Sequence, residues 1–189
     1  MPPKPPTTRP RMDAEQLQAA ADHIRMGGLD YNPGTGKGRD GDWESITVTQ
    51  GMDKNGQWVW TVTSSAASRN PERLTLPQGA RAAAIFGTGG FVNPPDDCQK
   101  LKPRTHNDWH SEQRGIRATQ GQVDRCQATS NITPDTKAHR GKLHVGAACP
   151  SCAAAQIAAG VTNVTGTVYT GRTNKPKTGA WTSWRAQWA

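Results

Sequence analysis

Two short segments hold the side chains best suited to chemistry. His110-Ser-Glu112 sets an imidazole and a carboxylate two residues apart, and Cys149-Pro-Ser-Cys152 sets two thiols three residues apart. Each is ambiguous alone. A His-x-Glu triplet is often a surface pair, and a Cys-x-x-Cys serves as a redox pair, a disulfide or half of a structural zinc site. Together they match what a catalytic zinc requires: three protein ligands and one position left for water. Glu112 falls just past His110, where it reaches over a metal without ligating it, the place for a proton shuttle. A closed structural site is the competing reading. It needs a fourth ligand, for which His106, His139, His144 and Cys126 are the candidates. Cys98 and Cys126 lie outside both segments and read as buried free thiols, or as a disulfide.

The elements around these segments must bring them together. Trp109 to about Gln120 reads as a helix despite Gly115, with His110-Ser-Glu112 at its start. Pro150 suits the first turn of a second helix that Gly160 stops. Helix N-termini carry partial positive charge that favours thiolates. Two adjacent parallel helices would therefore bring both ligand groups to a single ion. Elsewhere, Asp13 caps a helix running to about Met26, with Leu17, Ala20, Ala21 and Ile24 at helical spacing and Gly27-Gly28 after it. Trp43 to Gln50 alternates as a strand, Ile46 and Val48 on one face and Thr47 and Thr49 on the other. Asp53-Lys-Asn-Gly56 is a turn, and Gln57 to Ser64 completes a hairpin. Ala80 to Phe86 reads as a short helix and Gly87 to Pro95 as a turn-rich loop. The polar stretch from Gly121 to Arg140 reads as irregular. Leu143, Val145 and Ala147 alternate as a third strand, and Val164 to Thr170 forms a fourth. Strands joined through helices imply a mixed sheet covered by helices. Gly34-Thr-Gly-Lys37 lacks the spacing of a phosphate-binding loop and no strand precedes it.

The composition narrows the class. The chain has 189 residues, one domain with an extra arm, and only 33% of them are apolar. Residues 1–12 are Pro-rich and basic, which reads as a linker; residues 13–189 read as a single domain. There is no apolar run of ~18 residues to span a membrane. The start lacks the apolar core of a signal peptide, so nothing in this chain exports it. Lys and Arg number 23 against 15 Asp and Glu, a formal charge of +8. From Thr136 to Ala189 there is no acidic residue, and Lys137, Arg140, Lys142, Arg172, Lys175, Lys177 and Arg185 stand uncompensated. Such a surface draws polyanions, although a solvated basic tail explains the charge as well. Trp181, Trp184 and Trp188 recur at helical spacing and read as covers for a core before they read as a stacking platform for bases.

The pairing of His110-Ser-Glu112 with Cys149-Pro-Ser-Cys152 resembles the zinc-dependent cytidine deaminase-like superfamily, whose signature is H-x-E…P-C-x-x-C. The likeness covers roughly Ser45 to Thr170. Here Ala148 precedes the first Cys and Pro150 follows it, which alters the turn into the helix without removing a ligand. The segment VGAACPSCAAAQIAAGVTNVTG, after a WHSE helix, looks most like the deaminase domains of bacterial polymorphic toxins. The resemblance implies a three-layer α/β/α fold with a mixed central sheet of about five strands flanked by helices. It implies that Zn2+ is bound by His110, Cys149 and Cys152. Glu112 would take a proton from the zinc-bound water, the hydroxide would attack C4 of cytosine, and uracil would form as ammonia leaves. A toxin would also have an immunity protein as partner and act on cytoplasmic nucleic acid.

Zinc-dependent deamination of cytosine in DNA, single- or double-stranded, is the leading expectation. RNA deamination, deamination of free nucleosides or nucleotides, and a non-catalytic zinc-stabilised nucleic-acid-binding module are the alternatives. A binding module would have no use for Glu112. The resemblance implies that Arg172, Lys175 and Lys177, with Trp181 just beyond, lie in the loop that touches the base beside the target in deaminases of this architecture. Ser64 and Ser65 end the second strand where a pocket wall is expected. Phe91, Trp43 and Trp109 are candidates for a side chain wedged into a duplex.

Overall fold

The computed structural model describes residues 10–26, 45–65, 74, 76–93, 110–133, 148 and 150–170. The first helix, α1 (Ala14–Met26), starts with a reciprocal cap. Asp13 Oδ1 accepts the Gln16 N–H at 2.8 Å, and Gln16 Oε1 accepts the Asp13 N–H at 3.0 Å. This box satisfies two of the donors that a helix start leaves open. Leu17, Ala20, Ala21 and Ile24 form its buried stripe. The strands β1 (Ile46–Met52) and β2 (Trp58–Ser64) pair antiparallel, with Ile46 opposite Ser64 and Met52 opposite Trp58. Asp53 closes the turn by accepting the N–H groups of Asn55 and Gln57 at 2.8 and 2.9 Å. Helix α2 (Leu76–Phe86) follows, starting about a turn earlier than the Ala80 to Phe86 helix read from the sequence. Phe86 stacks on Trp60 with ring centroids 5.6 Å apart.

Two strands depart from expectation. The stretch after Gly87 is not all loop: Phe91–Val92 forms β3, a short edge strand parallel to β2. More consequentially, the polar stretch beginning at Gly121 is not irregular. Val123–Thr133 is β4, an 11-residue strand paired with β1 on one side and parallel to β5 (Asn163–Thr170) on the other. It carries no apolar alternation because one of its faces is polar throughout. Its start is also bulged. Asp124 has φ 51°, and the pairing slips so that Met52 meets Val123 after Gln50 has met Cys126. The expected strand over Leu143, Val145 and Ala147 lies outside the described residues.

Among the described residues the sheet thus has five strands in the order β3-β2-β1-β4-β5, part parallel and part antiparallel. Helices α1 and α2 pack together on one face. Helices α3 (Ser111–Ala118) and α4 (Pro150–Ala158) pack together on the other, giving the three-layer α/β/α arrangement of the cytidine deaminase architecture. Alternation gives the two faces opposite chemistry. Toward α1 and α2 point Ile46, Val48, Trp60, Val62, Cys126 and Ala128, all members of the main apolar core. Toward α3 and α4 point Thr47, Thr49, Thr61, Thr63, Gln127 and Thr129, all buried. Among the described residues, no helix is long and apolar enough to cross a membrane.

Candidate metal centre

Helix α3 sits on the polar face by directed bonds. Its N-cap is His110, whose backbone is extended and whose carbonyl accepts the Arg114 N–H at 3.1 Å. Ser111 is fully buried and meets the Thr47 hydroxyl at 2.8 Å, while the Thr63 hydroxyl donates to the Ser111 carbonyl at 2.8 Å. Gln127 Nε2 donates to the Glu112 carbonyl at 2.9 Å. The Arg114 guanidinium, also buried, donates to the Ser64 carbonyl and ties the helix to the end of β2. Gly115 explains itself here. A Cβ at that position would collide with Thr49 Oγ1 and come within 3.0 Å of Gln127 Nε2. The residue that weakens the helix pattern in the sequence is the one that lets the helix approach the sheet.

Helix α4 runs alongside. Pro150 is its first residue, and a two-bond motif ends it: the N–H of Gly160 (φ 67°) donates to the Ile157 carbonyl and that of Val161 to the Gln156 carbonyl, each at 3.0 Å. Only glycine takes that φ without strain, so the stop read from the sequence is physical. Each helix turns directly into a strand, α3 into β4 and α4 into β5, and those strands are parallel. The two helices therefore start at the same end of the sheet. Gln113 Nε2 crosses between them to the Ser151 hydroxyl at 3.1 Å.

At that shared end His110, Glu112 and Cys152 converge, with one donor atom of each within 4.8 Å of the others. His110 Nδ1 lies 3.2 Å from Cys152 Sγ, and Cys152 Sγ lies 3.8 Å from Glu112 Oε2. Two ligands of one tetrahedral zinc, about 2.0 and 2.3 Å from the ion, stand about 3.6 Å apart. The imidazole–thiol separation fits that spacing, and the donor set suits zinc. Cys152 is fully buried and Glu112 is 6% exposed, so the cluster is largely shielded from water, with half-buried His110 its most open member. The Glu112 carboxylate is held from behind by a hydroxyl chain. Thr129 Oγ1 meets Thr47 Oγ1, which meets Ser111 Oγ, both at 2.8 Å, and Ser111 donates to Glu112 Oε2 at 3.4 Å.

The structure thus brings together His110, Glu112 and Cys152 as the spacing predicted, through the two helices that were expected. Cys149, the other expected ligand, lies outside the described residues, as do Arg172, Lys175, Lys177 and Trp181. His106, His139, His144, Cys98, Trp43 and Trp109 lie outside them too. Cys126 is a free thiol, but it cannot serve as a fourth ligand. It is on the apolar face, where Gln50 Nε2 donates to its sulfur at 3.3 Å. Burial pushes that thiol above its ordinary range, and the Gln50 hydrogen bond and the Arg11 charge offset only part of the rise. Ser64 shares the face of Ile46 by register, opposite to Thr63, and Ser65 Oγ accepts the Ser45 N–H at 2.8 Å. Neither hydroxyl joins the cluster. The Phe91 ring leans on Phe86 at 6.0 Å and is partly buried.

The residues that sequence reasoning missed are the supports: Ser111, Gln113, Arg114, Gln127 and the threonines beneath them. One signal was available, the concentration of Thr on the second face of both hairpin strands. No protein-family model matches the chain, and neither a curated protein nor a solved structure matches it.

Proposed function

We propose that the protein is a zinc-dependent hydrolytic deaminase that converts cytosine to uracil in DNA. The observation that carries this reading is the convergence of half-buried His110 with buried Glu112 and Cys152 at the common end of two parallel helices. His110 and Cys152 would hold the ion with Cys149, which precedes Cys152 by three residues in the sequence. Zinc, when bound, supplies the Lewis acidity that makes water nucleophilic near neutral pH. Glu112 takes a proton from the attacking water and returns protons to the ring nitrogen and to the departing ammonia. Its burial and the Ser111 hydroxyl fix the carboxylate oxygen that does so. DNA as substrate is supported by the charge of +8 and by the absence of any acidic residue from Thr136 onward. The likeness to toxin deaminase domains supports delivery into another cell, with an immunity protein as partner.

The test is incubation of the protein and of Glu112→Gln with single-stranded DNA, duplex DNA, RNA and cytidine, followed by sequencing and ammonia release. C-to-T change in DNA is expected, reduced by ~10²-fold or more in Glu112→Gln, the usual contribution of a positioned acid–base group. Turnover of RNA or of cytidine alone would move the substrate to one of those. A zinc-loaded protein that turns over none of the four would contradict the enzyme reading and favour a zinc-stabilised binding module.

A further inference from the structure

One buried side chain bonds to a strand and to both helices that carry the site. Gln127 lies on β4, 1% exposed, directly beneath the two helices. Its Nε2 donates to Thr49 Oγ1 on β1 at 3.0 Å and to the Glu112 carbonyl on α3 at 2.9 Å. Its Oε1 accepts Gln156 Nε2 from α4 at 2.9 Å. Both amide hydrogens are therefore used, and the oxygen is engaged on the remaining side.

The packing around it gives these bonds their weight. The main apolar core lies entirely on the α1/α2 side of the sheet. On the other side the described residues form only two small clusters, Ala148 with Cys152 and Ala153, and Val161 with Val164, against which Ile116 of α3 and Ala159 pack partly buried. Apolar burial is non-directional and, among the described residues, small on this side, so directed bonds give the starts of α3 and α4 their relative placement. Gln113 joins the two helices near their starts, and Gln127 joins both to the sheet. Gln156 Oε1 has no hydrogen-bond partner, so the Gln156 side chain is fastened through its link to Gln127.

We propose that Gln127 is a positioning residue for the metal centre: its amide fixes α4, which carries Cys152, against α3, which carries His110 and Glu112. The inference rests on the metal-site reading above. It is not a catalytic role, because the Gln127 side chain meets the Glu112 main chain and not its carboxylate.

Titration of the apo protein with Co2+, read by visible absorption, separates the two claims. Gln127→Glu keeps the size and the acceptor facing Gln156 but loses the donors toward α3. Gln156→Met keeps the anchor of α3 and loses that of α4. Each variant is expected to fold with an unchanged circular dichroism spectrum, to bind Co2+ 10- to 100-fold more weakly, the usual effect of removing a support behind a metal ligand, and to show altered d–d bands. A folded Gln156→Met with wild-type affinity and spectrum would overturn the proposal. Failure of both variants to fold would also overturn it, by assigning Gln127 to the fold alone. Absence of Co2+ binding by the unaltered protein would overturn the metal-site reading instead.

Discussion

The two faces of the sheet are made from alternate residues of the same strands, yet they stabilise in different ways. On one, Ile46, Val48, Trp60 and Val62 meet Leu17, Ile24 and Phe86 in a single apolar core. On the other, Thr47, Thr49, Thr63, Gln127 and Thr129 meet the starts of α3 and α4 through hydrogen bonds. The apolar face contributes most of the burial energy and tolerates small displacements, because dispersion and apolar transfer have no preferred angle. The polar face contributes less net energy per contact, about 1 kcal/mol for an ordinary hydrogen bond, but it fixes distance and angle. The arrangement puts stability on one side and geometry on the other, and the candidate centre sits on the side of geometry.

Damage to each face should therefore read out differently. Ile24→Ala empties a fully buried position in the apolar core. It should lower stability by about 2–5 kcal/mol in denaturant unfolding while leaving metal affinity of the folded protein unchanged. A large loss of metal affinity there would show that the faces are not separable. Gly115→Ala is the counterpart on the polar face. In an exposed helix the change would gain about 1 kcal/mol. Here the new Cβ meets Thr49 Oγ1 and Gln127 Nε2, so a net loss of about 1–3 kcal/mol is expected, with weakened metal binding. Combining it with Thr49→Ala should recover part of that loss; strict additivity would contradict the close approach.

The smallest effect concerns pH. The Cys126 thiol is raised in the folded protein by burial, so the folded state holds this proton more tightly than the unfolded chain does. The corresponding stability is fully present below the ordinary thiol pKa of about 8.5 and is lost as pH rises from there through the folded value. The slope from one group is at most about 1.4 kcal/mol per pH unit. Comparing unfolding midpoints of the protein and Cys126→Ala between neutral and alkaline pH should show the steeper decline in the unaltered protein.

How much of this was legible in the sequence follows the same division. Where apolar residues alternate or recur at helical spacing, as in α1 and the hairpin, the elements and their buried stripes were readable. The His110, Glu112 and Cys152 site was readable because metal chemistry demands particular residue types at particular spacings. β4 was not, because Asp-Arg-Cys-Gln-Ala-Thr-Ser-Asn offers only small or polar side chains. Its core-facing members Cys126 and Ala128 are small, and its other face is polar and still buried. Alternation reveals that a strand has two faces; it does not reveal which one is dry. Gln127 was invisible for that reason, since a polar residue in a polar segment carries no local sign that two helices will cover it.

Two buried cysteines separate the faces most directly. Cys152 stands beside His110 and Glu112, and Cys126 stands in the apolar core. Elemental analysis of the purified protein, Cys152→Ala, His110→Ala and Cys126→Ala tests the central claim. One zinc per chain is expected in the unaltered protein and in Cys126→Ala, with loss of zinc in Cys152→Ala and His110→Ala. Full retention of zinc in Cys152→Ala and His110→Ala, or its loss in Cys126→Ala alone, would contradict the account.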